Sequence, residues 1–289
     1  MASTKTTKVE AMRNKKATIK SLRERLLNGA PDSVYQTRQQ IVFALAKLEA
    51  RTVLMEYLRK PLKIADPVVR AAEEAVQSSA ARELARWKNK KTFDFLLEFA
   101  KKCHRTGTLE ALAEFERIET TPIFIATLED DFYRPAAEKG LRKLGSTAKS
   151  DLIRSLLIPV KQRGFEPPWS VRRRQSILSI LLDANFIHDD WKAVRALIKD
   201  SHPEIIAGIS VLAASFAPAK DRSRAAQRII AVYAKAAGDW RTVRDLEECL
   251  IKLQPESAIA LDRAFERQIF ENNPKIMERL VRVRNKLKA

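Results

Sequence analysis

One helical pattern recurs along the chain and limits the folds that the chain can adopt. It is clearest between Glu129 and Gly145, where acidic residues precede apolar and small side chains that recur every three or four positions. This spacing places those side chains on one face of a helix, and that face must be buried. Gly145 then offers the left-handed residue on which helices commonly end. Weaker copies begin at Asp32, Asp66 and Ser170, and a recurrence of roughly 30–45 residues is typical of paired-helix repeats.

The composition favours helix along the whole chain. Only 7 of the 289 residues are glycine and 7% are aromatic, while Ala, Leu, Lys, Arg and Glu dominate. These five residue types are good helix formers, and no stretch shows the alternation expected of a strand ladder. We therefore predict an all-α fold, an α-solenoid of about eight antiparallel helix pairs.

The domain organisation follows from the same pattern. We predict one solenoid domain over residues 9–289, preceded by a flexible basic tail at residues 1–8. The loop at residues 161–170 contains two successive prolines and is expected to separate an N-terminal half (9–160) from a C-terminal half (171–289). Because a proline lacks an N–H and restricts the residue before it, we expect no helix at these prolines.

Two segments resemble a known repeat family. Residues 66–72 (Asp-Pro-Val-Val-Arg-Ala-Ala) and 133–145 (Tyr-Arg-Pro-Ala-Ala through Leu-Gly) are similar to the second helix of HEAT and armadillo-type repeats. The resemblance covers residues 30–200 and is loose after Ala219, where residues 237–240 look more like a tetratricopeptide turn. In this family the inner helices line a concave surface. The resemblance also implies that Arg70 and Arg134 belong to acid–base ladders between repeats.

The remaining residue types point away from membranes, metals and common catalysis. Cys103 and Cys249 match no zinc or redox spacing, which favours a reducing compartment, the cytoplasm or the nucleus of a eukaryote. No apolar run reaches the roughly 18 residues of a membrane span, and the polar start leads into no secretory signal, although it also fits an organelle transit peptide. With three histidines and no phosphate loop or catalytic triad pattern, we expect no metal, no cofactor and no ordinary hydrolase or transferase.

Charge is the strongest indication of function. The chain has 54 Lys and Arg against 36 Asp and Glu, a net charge of +18. Such an excess favours a polyanionic partner, so we predict that the protein binds DNA or RNA through backbone phosphates. We expect the protein to be monomeric on its own. A solvated basic surface without function is the alternative interpretation of the charge.

Two other functions fit the same sequence. A protein–protein scaffold would use the acidic stretch 110–131, which has seven carboxylates against one arginine, as much as the basic faces. A HEAT-like alkylbase DNA glycosylase is the one enzymatic alternative, although no segment here matches that family's Trp–Asp segment.

Three clusters of cations support the prediction of nucleic-acid binding. Trp169 beside the first cluster would stack on an unpaired base, or alternatively anchor the loop to the start of the following helix. Changing the run at 172–174 to Glu is expected to abolish binding without unfolding the chain. The predicted nucleic-acid-binding residues are Lys161, Arg163, Trp169, Arg172, Arg173 and Arg174, then Arg86, Lys88, Lys90 and Lys91, and finally Lys16, Lys20 and Arg23.

Overall fold

The structure, a computed structural model, describes residues 2–270 and 272–288, with side chains from residue 10 onwards. Over these residues the chain is all-helical, and its only β-type pairing is a single bridge between Gln162 and Phe165. Three short 3₁₀ segments, Ile118–Thr120, Gly145–Ala148 and Arg195–Lys199, accompany the α-helices. The α-helices are α1 (Ala2–Asn28), α2 (Gln36–Lys47), α3 (Arg51–Arg59), α4 (Pro67–Leu84), α5 (Lys90–Lys102), α6 (Thr106–Ala113), α7 (Thr121–Thr127), α8 (Arg134–Leu144), α9 (Lys149–Leu157), α10 (Pro168–Asp183), α11 (His188–Val194), α12 (Pro203–Phe216), α13 (Ala219–Ala236), α14 (Trp240–Lys252), α15 (Glu256–Glu266) and α16 (Pro274–Lys288).

The all-α prediction is confirmed, and the local helix signals act as expected. The Asp66 carboxylate caps α4 by accepting hydrogen bonds from the N–H groups of Val68 (2.8 Å) and Val69 (2.9 Å). Pro67 occupies the first helical position, where its missing N–H is no loss. Gly145 has a φ of +56°, the left-handed conformation predicted for the end of α8.

Two helices begin earlier than the sequence predicts. α1 begins at Ala2, within the stretch predicted as a flexible tail, because neither Gly nor Pro interrupts residues 2–8; Met1 lies outside the described residues. α10 begins at Pro168, so the expectation that the two prolines exclude helix is wrong. Pro167 is the N-cap and Pro168 is the first helical residue, the one place where a helix tolerates proline without cost.

The chain divides into two compact units. The first contains residues up to 127 together with 132–144, and the second contains 128–131 together with 145–289. The division therefore lies upstream of the loop at 161–170, where the sequence predicts the junction of the two halves.

In the first unit, alternate helices are neighbours. α2 packs on α4, α4 on α6 and α6 on α8, while α3 packs on α4 and α5. The contact between α4 and α6 is close enough to require a glycine. A Cβ added at Gly107 would lie 2.1 Å from the backbone oxygen of Ser78.

The second unit shows the same alternation in two layers. The first layer consists of α10, α12, α14 and α16, each packed on the next. The second layer consists of α11, the 3₁₀ segment Arg195–Lys199, α13 and α15. Buried side chains such as Leu212, Ile229 and Leu246 fill the space between them.

Each unit contains a hydrogen-bonded cluster of one arginine, one glutamate and one tyrosine, which is buried in the first unit and partly buried in the second. In the first unit, Arg38 donates to Glu73 (2.7 and 2.8 Å) and Tyr57 donates to the same carboxylate (2.6 Å). Burial, followed by the charge of Glu73, raises the pKa of Tyr57. Arg38 also donates to the carbonyl of Leu26 (2.9 Å), so it closes the end of α1 as well.

The second unit repeats this arrangement with other residues. Glu247 accepts hydrogen bonds from Tyr233 (2.5 Å) and Arg279 (2.8 Å). Arg70 is exposed and has no carboxylate partner among the described side chains.

None of the helices over the described residues combines the length and apolar character needed to cross a bilayer.

Candidate nucleic-acid interface

The loop before α10 carries two of the predicted cations on an exposed turn. Gln162 and Phe165 exchange two backbone hydrogen bonds (2.9 and 3.1 Å), which close a tight hairpin. Arg163 and Gly164 form its tip, with φ values of 49° and 87°. Lys161 and Arg163 are exposed, and neither has a carboxylate partner among the described residues. Both cations are therefore free to contact a ligand.

Arg174 has a different position from the one predicted. It is 1% exposed, and its guanidinium donates to Glu166 (2.7 Å), Asp200 (2.5 Å) and the carbonyl of Leu156 (3.0 Å). It closes the end of α9 and neutralises two carboxylates. Its assignment as a phosphate-binding residue is therefore corrected to a structural one.

Arg173 is corrected for the same reason. It is 6% exposed and donates to Glu129 (2.7 Å) and to the carbonyl of Ile158 (2.9 Å). Consecutive helical residues are about 100° apart, so a run of three arginines cannot share one face. Arg173 and Arg174 lie on the buried side of α10.

The other members of this cluster are only partly accessible. Arg172 donates to Asp131 (2.9 Å), and both side chains are partly exposed. Trp169 is half-buried at the second position of α10. The expectation that changing residues 172–174 to Glu leaves the fold intact is therefore wrong, because two of the three are built into the packing.

The two clusters of the first unit are exposed but partly paired. Arg86 pairs with Glu83 (2.9 Å) and Lys90 with Asp94 (2.6 Å), each within a helical turn or two. Lys88 and Lys91 are exposed without a carboxylate partner among the described side chains.

On α1, Lys16 and Lys20 are likewise exposed and have no described carboxylate within ion-pair distance. Arg23, by contrast, pairs with Glu56 of α3. The hydrogen bond and the charge of Glu56 raise the pKa of this arginine.

Most carboxylates of the acidic stretch 110–131 form ion pairs. The hydrogen bond from Lys143 holds the pKa of Glu114 below its usual range, and the charges of Lys88 and Lys139 add to this effect. The stretch therefore does not form a free acidic surface. The pairs are Glu110 with Arg82, Glu114 with Lys143, Glu119 with Arg117, Glu129 with Arg173, and Asp131 with Arg172.

A basic groove that the sequence did not reveal lies on the second layer of the second unit. Two cavities, of about 670 and 360 Å³, share Gln227 in their walls and are therefore adjacent. The first lies between the 3₁₀ segment Arg195–Lys199 and α13, and the second lies along α13 and α15. We call this surface the basic groove and define it by its six cations: Arg195, Lys199, Arg224, Arg228, Arg263 and Arg267.

Helical spacing explains why these cations face the same way. Arg224, Gln227, Arg228 and Ala231 are spaced three and four residues apart on α13 and form one stripe. The opposite stripe of α13, including Ile229, is buried.

Each element contributes a pair of cations four residues apart. On an α-helix, as for Arg224 and Arg228 on α13, like charges at this spacing repel each other. Three such pairs, 195/199, 224/228 and 263/267, line a single groove. Repulsion of this kind is a cost to the fold unless an anion binds between the charges.

Little within the groove offsets this charge. Among the described residues that line it, Asp221 is the only carboxylate, and it is 5% exposed. Its oxygens accept hydrogen bonds from the indole of Trp191 (2.9 Å) and from Arg224 (3.2 Å). Arg228 donates to the carbonyl of Asp200 (2.7 Å), and its Nε is buried without a partner.

The other four groove cations are exposed and lack any described carboxylate partner. They are Arg195, Lys199, Arg263 and Arg267.

The first layer of the same unit includes a cavity of the opposite charge. A smaller cavity of about 300 Å³ lies along α10, α12 and α14. Three carboxylates line it (Glu204, Asp245 and Glu248), and among the described residues Lys252 is its one cation. The basic groove and this cavity thus differ in the sign of the charge that lines them.

Comparison with known proteins does not indicate a function for this chain. No protein-family model matches the chain, and no curated protein sequence is significantly similar to it. Within the described part of the chain, no three His, Cys, Asp or Glu side chains come together in a way that could hold a metal ion.

Proposed function

We propose that this chain is a helical-repeat protein that binds DNA or RNA through backbone phosphates in the basic groove. The observation that carries the proposal is the alignment of three like-charge pairs on one layer of the second unit, with one buried carboxylate among them. A phosphate backbone supplies negative charges at regular intervals, and such a group of cations would bind them.

The chemistry of the groove favours binding without strong sequence preference. Five of its six cations are arginines, whose planar guanidinium groups bind phosphate oxygens in a bidentate manner. Contacts to phosphates fix position and supply affinity but carry no sequence information. Gln227 is the one uncharged side chain of the groove that reads base edges well.

For the architecture, we infer that each compact unit is a stack of HEAT-like helix pairs. Three observations support this: alternate helices contact each other, the Arg–Glu–Tyr cluster recurs in both units, and the helical pattern recurs along the sequence. In such repeats one helix of each pair lines the inner surface, which is the position we assign to α13 and α15.

Two other functions, a protein–protein scaffold and a base-excising enzyme, receive less support from the described residues. A scaffold that uses the acidic stretch 110–131 would need free carboxylates, whereas most of these side chains are paired with cations. A base-excising enzyme would need an accessible aromatic face beside its acid. Trp191, which lies against Asp221, is only 2% exposed and has no such face. Trp240, next to Asp239, is 62% exposed, so this alternative stays open.

The proposal is tested by measuring binding of the whole chain to labelled duplex DNA, single-stranded DNA and single-stranded RNA by fluorescence anisotropy. If about six phosphates are engaged, affinity for the duplex should fall on the order of a thousandfold between 50 and 200 mM salt. Binding that does not change with salt, or no binding to any of the three ligands, would refute the proposal.

A further inference from the structure

The first unit contains a cavity that is separate from the basic groove. It has a volume of about 700 Å³ and lies between the end of α3, the segment that follows it, and α5. Its apolar wall consists of Met55, Leu58, Leu62, Phe95 and Phe99. It thus offers an apolar interior within a strongly basic protein.

Two aromatic rings form one wall of this cavity. Phe95 and Phe99 are four residues apart on α5, their ring centroids are 6.3 Å apart, and their planes differ by only 9°. The guanidinium of Arg59 lies 5.1 Å from the centroid of Phe95, in a cation–π contact. The wall therefore combines parallel aromatic faces with an adjacent positive charge, the usual setting for a stacked base.

The rim of the cavity carries more positive than negative charge. Arg59, Lys91 and Lys102 line it without a carboxylate partner among the described side chains. The two carboxylates of the rim, Asp94 and Glu98, already pair with Lys90 and Lys101, at 2.6 Å each.

Arg105 is a second, independent indication of an anionic ligand. Its side chain is 8% exposed, its one ion pair is a 3.2 Å contact with the half-exposed Glu74, and its Nε is buried without a partner. A buried charge that is only partly compensated is unfavourable. An anion in the adjacent cavity would offset that cost.

The cavity also has polar groups at its base. The amide of Gln77 is 1% exposed, and its NH₂ group makes only a 3.5 Å contact with the carbonyl of Lys60. An acyl chain could not form hydrogen bonds with these groups, whereas the edge of a nucleobase pairs with both donors and acceptors.

We propose that this cavity binds one nucleotide. The base stacks on Phe95 or Phe99 with its edge toward Gln77, and the phosphate is held by Lys91, Lys102 and Arg59. The nucleotide is either a free mononucleotide or an unpaired nucleotide of a bound strand. The site shares no residue with the basic groove, so it does not depend on nucleic-acid binding there.

The first test is calorimetric titration of the whole chain with adenosine 5′-monophosphate (AMP) and with adenosine. We expect saturable binding of AMP, roughly tenfold weaker binding of adenosine because the charge-assisted contacts are lost, and a loss of roughly tenfold or more in Phe99→Ala because stacking is lost. Lys102→Glu, a change at an exposed position, should weaken AMP binding without affecting the thermal melt. Phe43→Ala, which removes a partly exposed ring outside the cavity, is the matched control and should bind as the wild type does.

A second measurement separates the two sources of the nucleotide and keeps this proposal apart from the groove. If AMP binds weakly but Phe99→Ala lowers affinity for a single-stranded oligonucleotide, the natural ligand is an unpaired nucleotide of a strand. In either case Arg263→Glu/Arg267→Glu should leave AMP binding unchanged. The proposal is overturned if neither AMP nor the oligonucleotide distinguishes Phe99→Ala and Lys102→Glu from the wild type, whatever the groove variant does.

Discussion

Reversal of two charges in the basic groove should change how salt affects nucleic-acid binding. We choose Arg263→Glu/Arg267→Glu because both side chains are exposed and neither has a carboxylate partner among the described residues. Exposed substitutions of this kind usually change the free energy of unfolding by less than about 0.5 kcal/mol. The variant should therefore fold normally and differ in the groove alone.

The magnitude follows from the number of cations. Each phosphate neutralised on duplex DNA contributes about 0.9 to the slope of log affinity against log salt. Six contacts give a slope of about −5.4, and four give about −3.6. The loss of affinity between 50 and 200 mM salt should thus fall from on the order of a thousandfold to on the order of a hundredfold.

The assay is fluorescence anisotropy with a labelled duplex at four or more salt concentrations. Lys252→Glu/Lys286→Glu is the matched control, since it changes the net charge by the same amount on α14 and α16 of the first layer. The control should keep the slope of the wild type. Equal slopes for the groove variant and the wild type, or an equal reduction in both variants, would refute the assignment of phosphate contacts to the groove.

Three further predictions concern the fold. Arg174→Ala leaves Glu166 and Asp200 without their buried partner, so chemical denaturation should show a loss of roughly 3–5 kcal/mol in the free energy of unfolding, whereas a loss below about 1 kcal/mol would mean that this arginine is not built into the packing. Gly107→Ala places a Cβ 2.1 Å from a backbone oxygen of α4, so its melting temperature should fall by several degrees, as expected for a loss of about 1–3 kcal/mol from overpacking. For Glu256, burial by itself raises the pKa, but the hydrogen bond from Arg222, a backbone hydrogen bond and the charge of Arg222 together outweigh it and hold the pKa below its ordinary value of 4.5. The stability that this carboxylate contributes is therefore present above pH 4.5 and is lost as the pH falls through the lower folded value. The difference in unfolding free energy between the wild type and Glu256→Gln should be constant above pH 5 and shrink in more acidic solution. A difference that grows as the pH falls would contradict a lowered pKa for Glu256.

Helix positions could be predicted from the sequence because they depend on local signals. The acid at 66 with the following proline, and the glycine at 145, act within one turn of the helix. Side-chain exposure depends instead on tertiary contacts. The run at 172–174 attracts attention as a cluster of charge, yet two of its arginines are buried because α10 packs on both α9 and α12.

The groove was missed for the opposite reason. Its cations come in pairs four residues apart on three elements that are separated by about 30 residues or more, a spacing typical of repeats. Each pair taken alone resembles an ordinary solvated helix face. Only the packing of the 3₁₀ segment Arg195–Lys199 and α15 on α13 brings the pairs together. A search for like-charge pairs at helical spacing, repeated at the repeat length, is the sequence signal that would have found them.

Arginine footprinting tests the central claim most directly. The whole chain would be treated with phenylglyoxal at low salt, with and without a saturating DNA duplex, and the modified arginines identified by mass spectrometry. Arg195, Arg263 and Arg267 of the groove should be protected by the duplex, whereas Arg241 and Arg282 of the first layer should react equally in both samples. Groove arginines that stay as reactive with DNA as without it, or protection confined to the first layer, would contradict the account.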